Sequence, residues 1–378
     1  MSDETNIHRG LDGVVVDTTR ISKVMPEINS LVYAGYPVQD LCEHCRFEEV
    51  AWLMWHGELP SATQLADFMA QGRAQRDISR ELLSVIEATS RTAHPMDVLR
   101  TAVSFLGTED EEMEKTDAET NLKRSISMMA KIPTMIAAFY RLRKGQDFIP
   151  PRNDLGFIEN FFHMIFGEVP APEVVHAFEV SLILYAEHGF NASTFTARTV
   201  VSSLSDIYSG VVGGIASLKG PLHGGANEAV MHMLLEVGEP GRAKEWMLKS
   251  LREKRVVMGF GHRVYKNGDS RVPTMKKYAR AMAEFTGQSK WLDIADILET
   301  TMREEKNIHP NLDFPSGPAY YMMGFDIDMF TPFFVMARIT GWTAHIMEQL
   351  ADNRLIRPLS QYNGAVQRSV VPIMQRGG

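Results

Sequence analysis

The hydrophobic periodicity of the chain is the feature that most limits its fold. Apolar residues recur at the three- and four-residue spacing of one helix face through almost the whole sequence. One such stripe consists of Val230, Met233, Leu234 and Val237. Strand-like runs are few and short, at residues 13–16 and 30–33. The sequence therefore predicts an all-α fold.

A second apolar stripe predicts a helix in the middle of the chain. This stripe consists of Val175, Phe178, Leu182 and Tyr185. Glycine is common just past the C-terminus of a helix, so this helix is expected to end at Gly189. On this interpretation the four stripe residues are part of the hydrophobic core.

Two further helices are predicted from their capping residues. One helix is expected across residues 190–212, with Asn191 or Ser193 as its N-cap. Near the end of the chain, Thr331 is expected to cap a helix in which Pro332 is the first residue. Both helices carry apolar faces and belong to the predicted core.

The length of the chain, 378 residues, exceeds what one hydrophobic core usually fills. Two domains, or one domain with a large insertion, are therefore expected. Between residues 218 and 324, loops rich in histidine, glycine, proline and asparagine separate shorter helices. We expect a large helical domain formed by residues 1–221 and 319–378, and a small helical domain at residues 222–318.

The charge balance limits the partners. The sequence has 39 Lys and Arg against 47 Asp and Glu, a net charge of −8. Nucleic acids and anionic membranes select basic patches, so neither is expected as the main partner. The acidic, polar N-terminus does not resemble a signal peptide, and no run approaches the roughly 18 apolar residues of a membrane span. The expected location is the cytoplasm.

The two cysteines, Cys42 and Cys45, form a CxxC pair. Such a pair can be half of a zinc site or a redox motif. Zinc needs four ligands and no second pair follows, while the redox motif is expected between a strand and a helix. We therefore expect both cysteines on a helical segment, and no bound metal.

His223 stands between a proline turn and two glycines, directly before a predicted helix. The glycines allow a tight backbone turn and the close approach of a ligand. A helix N-terminus carries a partial positive charge, which would keep a neighbouring imidazole neutral. A neutral imidazole is a good hydrogen-bond donor to a developing oxyanion. The alternative is a helix-capping or core histidine beside an ordinary glycine loop.

Four loop or helix-end segments carry an unusual set of polar residues. They lie at residues 186–194, 219–228, 256–271 and 306–317. With the last predicted helix and the residues after it, they supply His188, His223, His262, Arg271, Asp313, Arg338 and Arg357. Guanidinium groups bind carboxylates through paired hydrogen bonds, so three of them suit a small, doubly negative acid. A carboxylate can act as a base, and neutral imidazoles can stabilise the enolate that it makes.

Each of these residues, taken singly, also has a structural interpretation, such as a solvated arginine on a helix or an aspartate in a turn. Their joint occurrence in short motifs favours a site. The four segments, with residues 341–358, strongly resemble the citrate synthase family, and the likeness runs from Gly10 to Pro358. The resemblance implies an all-α homodimer, in which a large and a small domain close over oxaloacetate and acyl-CoA.

The resemblance also implies a role for each candidate. Asp313 would take a proton from the acyl group of acyl-CoA, and His223 would hydrogen-bond the resulting enolate. His262 would polarise and protonate the carbonyl of oxaloacetate. The groups that would hold oxaloacetate are His188, Arg271, Arg338 and Arg357. Arg357 would reach the site of the neighbouring subunit, so the homodimer would be part of the chemistry.

The resemblance extends to coenzyme A, which enters as a co-substrate rather than as a resident cofactor. The residues that would contact it are Val256, Val257, Met258, Gly259, Phe260, Lys266 and Asn311. Simple packing remains an alternative for Val256 and Val257. The run from Gly259 to Val264 lacks the third glycine of a dinucleotide-binding motif, and the sequence contains no P-loop.

Four positions depart from the usual family pattern. Glu187 replaces the usual aspartate, Ser270 the usual proline, Pro315 a common aromatic residue and Ala34 a frequent arginine. Pro315 would lie near the acyl pocket, so the choice between acetyl-CoA, propionyl-CoA or both stays open. The sequence also lacks the β-rich N-terminal domain of the hexameric, NADH-inhibited members, which implies a dimer without that control.

One alternative function is a non-catalytic helical scaffold that binds coenzyme A or a dicarboxylate. Such a protein would need the arginines but not a base, so the set of His223, His262 and Asp313 weighs against it. A serine hydrolase is disfavoured because the sequence has no GxSxG motif.

Overall fold

The computed structural model describes residues 7–262, 264, 265 and 268–376 of the chain. Helices account for 61% of the structure and strands for 3%, so the predicted all-α fold is confirmed. The strands pair antiparallel in chain order and are β1 Ser22–Met25, β2 Ser30–Tyr33 and β3 Tyr36–Pro37.

The helices follow one another with short connections through the described part of the chain. They are α1 Val38–His44, α2 Phe47–His56, α3 Ala62–Ala74, α4 Arg80–Glu87, α5 Pro95–Thr108, α6 Ala118–Arg143, α7 Phe157–Phe166, α8 Pro172–Tyr185, α9 Ala192–Val201, α10 Ile207–Leu218, α11 Ala226–Val237, α12 Pro240–Arg252, α13 Val272–Thr286, α14 Lys290–Lys306, α15 Asp313–Met322 and α16 Phe330–Ala351.

Helix α16 forms the centre of the core. All residues from 330 to 346 are buried. The helix packs against α2, α5, α6, α8, α9 and α10. A helix that is covered on all sides is typical of the interior of a large domain. A charged residue on α16 is consequently held inside the protein and needs a compensating partner or ligand.

Helices α11 to α15 pack mainly on one another, through the pairs α11·α15, α12·α14 and α13·α15. They join the rest of the molecule where α13 packs on α8 and α11 packs on α16. The predicted boundaries of the two domains, residues 1–221 with 319–378 and residues 222–318, stay a prediction.

Helix α8 ends earlier than predicted, at Tyr185 rather than near Gly189. Gly189 has a φ of +58°, which suits glycine, but it lies four residues beyond the helix. The last carbonyl groups of α8 bond to side chains instead of to a further helical turn. The hydroxyl of Tyr33, for example, donates to the carbonyl of Ile183 at 3.0 Å.

The single helix predicted across residues 190–212 is wrong, because the segment forms α9 and α10. Leu204 has a φ of +67°, which interrupts the helix. Asp206 then caps α10 by accepting a hydrogen bond from the N–H of Ser209 at 2.8 Å. Asn191 is the N-cap of α9, as predicted, and accepts from the N–H of Thr194 at 3.2 Å.

Two other local predictions are wrong. Thr331 is not a cap, because α16 begins at Phe330 and the N–H of Thr331 donates to Glu228 at 3.2 Å. Residues 13–16 form no strand, since no described strand pairs with them and Val15 is 89% exposed. The run at residues 30–33 is β2, as predicted.

The cysteines lie on a helical segment, as predicted. Cys42 is within α1 and Cys45 directly follows its last residue. Both are free thiols. As for membranes, the described residues contain no helix that combines the length and the hydropathy of a membrane span.

The close approach of α16 to the end of α8 depends on Gly341. A methyl group added at Gly341 would lie 2.5 Å from the carbonyl oxygen of Ala186 and would also collide with the carboxylate of Glu187. Because backbone atoms cannot move aside cheaply, we expect Gly341→Ala to lower the free energy of unfolding by about 1–3 kcal/mol.

Urea denaturation measures this change, and Gly72→Ala is the matched control. Gly72 is an α3 residue with nothing within 4 Å of the added methyl group. Alanine there should leave stability unchanged or raise it by about 0.5–1 kcal/mol. Equal stabilities of the two variants would contradict the close packing of α16 on α8.

Candidate active site

The C-terminal end of α8 brings together most of the predicted site residues. The carbonyl of Leu184 accepts a hydrogen bond from Nη1 of Arg271 at 3.4 Å. The next carbonyl, that of Tyr185, accepts from Nε of Arg338 at 2.8 Å. The last carbonyls of a helix lack helical partners and carry a partial negative charge, so they attract cations. One helix end therefore anchors two guanidinium groups.

Arg271 has a second anchor in Asp269. Nε and Nη2 of Arg271 donate to the two carboxylate oxygens of Asp269 at 2.9 and 2.7 Å, and both side chains are buried. Burial alone would raise the pKa of Asp269, but the Arg271 guanidinium outweighs burial and holds that pKa below its usual value. Asp269 also accepts the N–H of Leu312, next to Asp313, at 3.2 Å. The pair is a fixed part of the site.

Arg338 is the more deeply buried of the two arginines, with 1% of its surface exposed against 6% for Arg271. It stacks over the ring of Phe334, and its Nη1 has no hydrogen-bond partner among the described residues. Burial lowers the pKa of Arg338 to about 10. A buried donor without a partner is costly, so this nitrogen suits the carboxylate of a ligand.

His188 lies beside the guanidiniums, three residues after the end of α8. Its ring centre is 5.0 Å from that of His262, and its Nε2 has no partner among the described residues. Burial, followed by the charge of Arg271, lowers the pKa of His188 well below its usual value. The imidazole is therefore neutral and retains one unused polar atom.

His262 has a defined tautomer. Its Nδ1 accepts hydrogen bonds from the N–H groups of Val264 and Tyr265 at 3.0 and 3.2 Å. Burial, and then the charge of Arg271, lower the pKa of His262 to about 4. In the neutral ring the proton must then be on Nε2, which is a hydrogen-bond donor.

His223 has the opposite tautomer. It lies in the turn before α11, as predicted, and its Nε2 lies 2.8 Å from the hydroxyl oxygen of Ser193 and accepts the N–H of the same residue at 3.2 Å. A backbone N–H can only donate, so Nε2 is an acceptor. Nδ1 therefore carries the proton of the neutral ring. The pKa of His223 is lowered to about 4, first by burial and then by Arg338. Burial is therefore the main cause of the lowered pKa, and the contribution of the helix N-terminus stays a prediction.

Asp313 is the first residue of α15. Its Oδ1 accepts the hydroxyl of Tyr185 at 2.6 Å, and no described residue donates to its Oδ2. Burial raises the pKa of Asp313 to about 6, against the opposing effects of Tyr185 and Arg271. A carboxylate with a pKa near the working pH is well suited to take a proton from carbon.

The loop predicted to contact coenzyme A is tied to the segment before Asp313. The N–H of Gly261 donates to the carbonyl of His309 at 2.8 Å, and the N–H of Asn311 donates to the carbonyl of Gly259 at 2.9 Å. The Asn311 side chain adds a bond to the carbonyl of Gly261 at 3.0 Å. Gly259 has a φ of +82° and no room for a side chain.

The other predicted coenzyme A residues differ in exposure. Val256 is 76% exposed, whereas Val257, Met258 and Phe260 are half-buried. A valine that is so exposed does not fit the packing alternative at position 256. Lys266 lies outside the described residues.

Arg357 does not join the site in this single chain. It is exposed, on the non-helical segment that follows α16, and it makes no hydrogen bond or ion pair with another described residue. Its predicted contact with a neighbouring subunit stays a prediction.

The departures from the family pattern have defined surroundings. Glu187 is buried and bonds to Nε2 of His345 at 2.8 Å and to the hydroxyl of Ser22 at 2.9 Å. The hydroxyl of Ser270 bonds to that of Tyr265 at 2.8 Å. Pro315 is buried in the first turn of α15. None of these departures removes a group that contacts the predicted base or imidazoles.

Sequence reasoning missed three residues of the site. Tyr185 was interpreted as core, yet its hydroxyl bonds to Asp313. Asp269 stands two residues before Arg271, a spacing that could have indicated the ion pair. Ser193 was considered only as a helix cap, but its N–H fixes the tautomer of His223. The complete arrangement offers a base, two imidazole donors and two cations in one buried place.

Comparison with known proteins gives a consistent result. A family model described as "Citrate synthase, C-terminal domain" matches residues 10–359. A citrate synthase of Mycolicibacterium smegmatis is 58% identical over 370 residues, which are 98% of each chain. A 2-methylcitrate synthase of Mycobacterium tuberculosis is 56% identical over 368 residues, covering 97% of this chain and 93% of the relative.

The fold is also similar to a solved structure with ligands. A citrate synthase of Thermoplasma acidophilum, in a ternary complex with carboxymethyl coenzyme A and oxaloacetate, superposes with a TM-score of 0.94 at 31% identity. The match covers 98% of this chain and 100% of that chain.

Proposed function

Because the chain belongs to the citrate synthase family, we propose that it condenses oxaloacetate with a short-chain acyl-CoA. Water then hydrolyses the thioester and frees coenzyme A. Acetyl-CoA would give citrate, and propionyl-CoA would give 2-methylcitrate. The observation that carries this proposal is the convergence at the end of α8 of two anchored guanidiniums, Arg271 and Arg338, and of Asp313, which is bonded to Tyr185.

Oxaloacetate would bind first to the groups at the end of α8. Arg338 has an unpartnered Nη1, and Arg271 is held in place by Asp269. Two guanidiniums match the two carboxylates of the keto acid. His188 would add a hydrogen bond through its unused nitrogen. Nε2–H of His262 would donate to the keto oxygen and make the keto carbon more electrophilic.

The acyl-CoA would then lose a proton to Asp313. The free oxygen, Oδ2, would accept the proton from the carbon next to the thioester carbonyl. The electron pair would move to the carbonyl oxygen, and Nδ1–H of His223 would stabilise the enolate by a hydrogen bond. A neutral imidazole suits this role because it can donate a hydrogen bond to the enolate oxygen while it remains uncharged.

Carbon–carbon bond formation follows from this arrangement. The enolate carbon would attack the keto carbon of oxaloacetate, and the keto oxygen would receive a proton from Nε2 of His262. The proton that Asp313 took would be returned to His262, so the condensation neither gains nor loses a proton. Water would then cleave the thioester in a site closed by movement of the small domain at residues 222–318. Each step uses groups of the protein, with acyl-CoA as a co-substrate.

The acyl group is proposed to be acetyl or propionyl, with both accepted. The two differ by one methylene, which a pocket usually discriminates by only about 1–3 kcal/mol. The relatives bear both names at nearly equal identity, 58% and 56%. The coenzyme itself would lie along residues 256–260 and Asn311, with Lys266 near its phosphates. The cytoplasmic location stays a prediction.

Condensation is tested by measuring thiol release from acetyl-CoA and from propionyl-CoA, with and without oxaloacetate. We expect Asp313→Asn to bind oxaloacetate normally but to lose at least a thousandfold in kcat, because the amide cannot accept the proton. Asp67→Asn, on the exposed face of α3, makes the same charge change and should be normal. Release that does not depend on oxaloacetate, or near-normal turnover by Asp313→Asn, would contradict the proposal.

The homodimer is proposed on the exposure of Arg357, which in one chain meets no other described group. We expect Arg357→Ala to raise the KM for oxaloacetate at least tenfold, because the neighbouring site would lose a carboxylate ligand. Arg354→Ala, on the same exposed segment, is the control and should change KM little. Steady-state kinetics with analytical ultracentrifugation give both readouts, and an unchanged KM would argue against a shared site.

A further inference from the structure

Tyr185 makes polar contacts through both its backbone and its side chain, whose hydroxyl has Asp313 and Ser316 as neighbours. Its carbonyl accepts Nε of Arg338, and its hydroxyl donates to Oδ1 of Asp313 at 2.6 Å. An oxygen–oxygen distance of this size is typical of a strong bond to a charged acceptor. Tyr185 therefore contacts both Arg338, which is predicted to bind oxaloacetate, and Asp313, the predicted base.

We propose that the Tyr185 hydroxyl is a positioning group for the base: it holds Oδ1 of Asp313 so that Oδ2 is charged and directed to the acyl-CoA. The inference rests on the proposed function and adds to it a residue that sequence reasoning assigned to the core. Tyr185 does not contact the reacting atoms in this scheme, because it acts through Asp313.

The ring of Tyr185 is fixed independently of its hydroxyl. The residue is 1% exposed, and its ring centre lies 4.3 Å from that of Phe334. Replacement by phenylalanine would keep this packing and the backbone contact with Arg338. The substitution therefore keeps the ring and removes the hydroxyl, with its bond to Asp313 and its contact with Ser316.

The proton of this hydrogen bond belongs to Tyr185. Burial, and then the charge of Asp313, raise the pKa of Tyr185 well above its usual value. The phenol stays protonated and donates, while the carboxylate accepts. Burial raises the pKa of Asp313, and the bond from Tyr185 is the first effect that opposes burial. Without this donor the carboxylate would be more often protonated at neutral pH.

The other charged groups around Asp313 leave the hydroxyl a distinct role. Arg271, at the start of α13, and Arg338, on α16, lower the pKa of Asp313, while Asp269 raises it. On the far side of α15, Lys276 of α13 and Asp296 of α14 line a cleft with Phe314 and Pro315, and they pair with each other at 3.7 Å. From α8, Tyr185 supplies the direct side-chain bond to the carboxylate.

Two more titratable groups lie on neighbouring elements. Tyr320, on α15 itself, donates to the hydroxyl of Ser181 at 2.9 Å. Glu228, on α11, accepts the N–H of Thr331 at 3.2 Å. Neither forms a hydrogen bond with Asp313 in the described structure. Tyr320 is consequently a matched control, since it is a buried tyrosine on the same helix as the base.

The experiment compares kcat/KM for acyl-CoA, at saturating oxaloacetate, across pH for the wild-type chain, Tyr185→Phe and Tyr320→Phe. In the pH profile of kcat/KM, we expect the midpoint of the acidic limb to be about one to two pH units higher for Tyr185→Phe than for the wild-type chain. At high pH the kcat/KM of the variant should recover. Tyr320→Phe should keep the wild-type midpoint. An unshifted midpoint with a rate lowered equally at every pH would overturn the proposal.

A second variant keeps the test valid if Tyr185→Phe does not fold. Site-specific 3-fluorotyrosine at position 185 has almost the same shape, but its hydroxyl is a stronger donor, so the acidic limb should move to lower pH. A limb that does not move would overturn the proposal.

An infrared titration of the Asp313 carboxyl, identified by its loss in Asp313→Asn, separates this proposal from the proposed function because it needs no turnover. A higher midpoint in Tyr185→Phe supports the hydrogen bond even if wild-type thiol release fails. An equal midpoint overturns it even if wild-type condensation is normal.

Discussion

Two arginines that share the end of one helix are the interaction on which the site depends. The carbonyl of Tyr185 accepts from Arg338, and the carbonyl of Leu184 accepts from Arg271 as well as from the hydroxyl of Tyr33. The guanidiniums bring positive charge into a buried place. Burial first, and then this charge, keep His188, His223 and His262 neutral. The imidazoles can then donate hydrogen bonds to an oxyanion, which protonated or solvated rings would do less selectively.

Buried positive charge needs compensation, and two buried carboxylates supply it. Asp269 pairs with Arg271 directly, while Glu187 lies behind the site and bonds to His345. Burial would raise the pKa of Glu187, but His345 and then Arg338 outweigh it, so the carboxylate stays charged. Removing either partner of such a buried pair usually costs several kcal/mol. The remaining capacity of Arg338 is what a dicarboxylate would use.

The sequence predicted the fold class and the residues of this site, but not how they are held. His188, His262, Arg271, Arg338 and Asp313 stand in short motifs that chemistry can interpret. Their anchors, the carbonyls at the end of α8, depend on where that helix stops, and Gly189 indicated the wrong position. Tyr185 matched a helical stripe so well that its hydroxyl was overlooked. These contacts join residues more than eighty positions apart, which local pattern does not encode.

We propose that the end of α8 assembles one ligand site from the two guanidiniums, the imidazoles and Asp313. A crystal structure of the chain with oxaloacetate and carboxymethyl coenzyme A tests it most directly. The account predicts the keto acid's carboxylates within about 3 Å of Arg271 and Arg338, its keto oxygen on Nε2 of His262, and the carboxymethyl group on Oδ2 of Asp313. A keto acid bound away from the end of α8, or a carboxymethyl group without contact to Asp313, would contradict it.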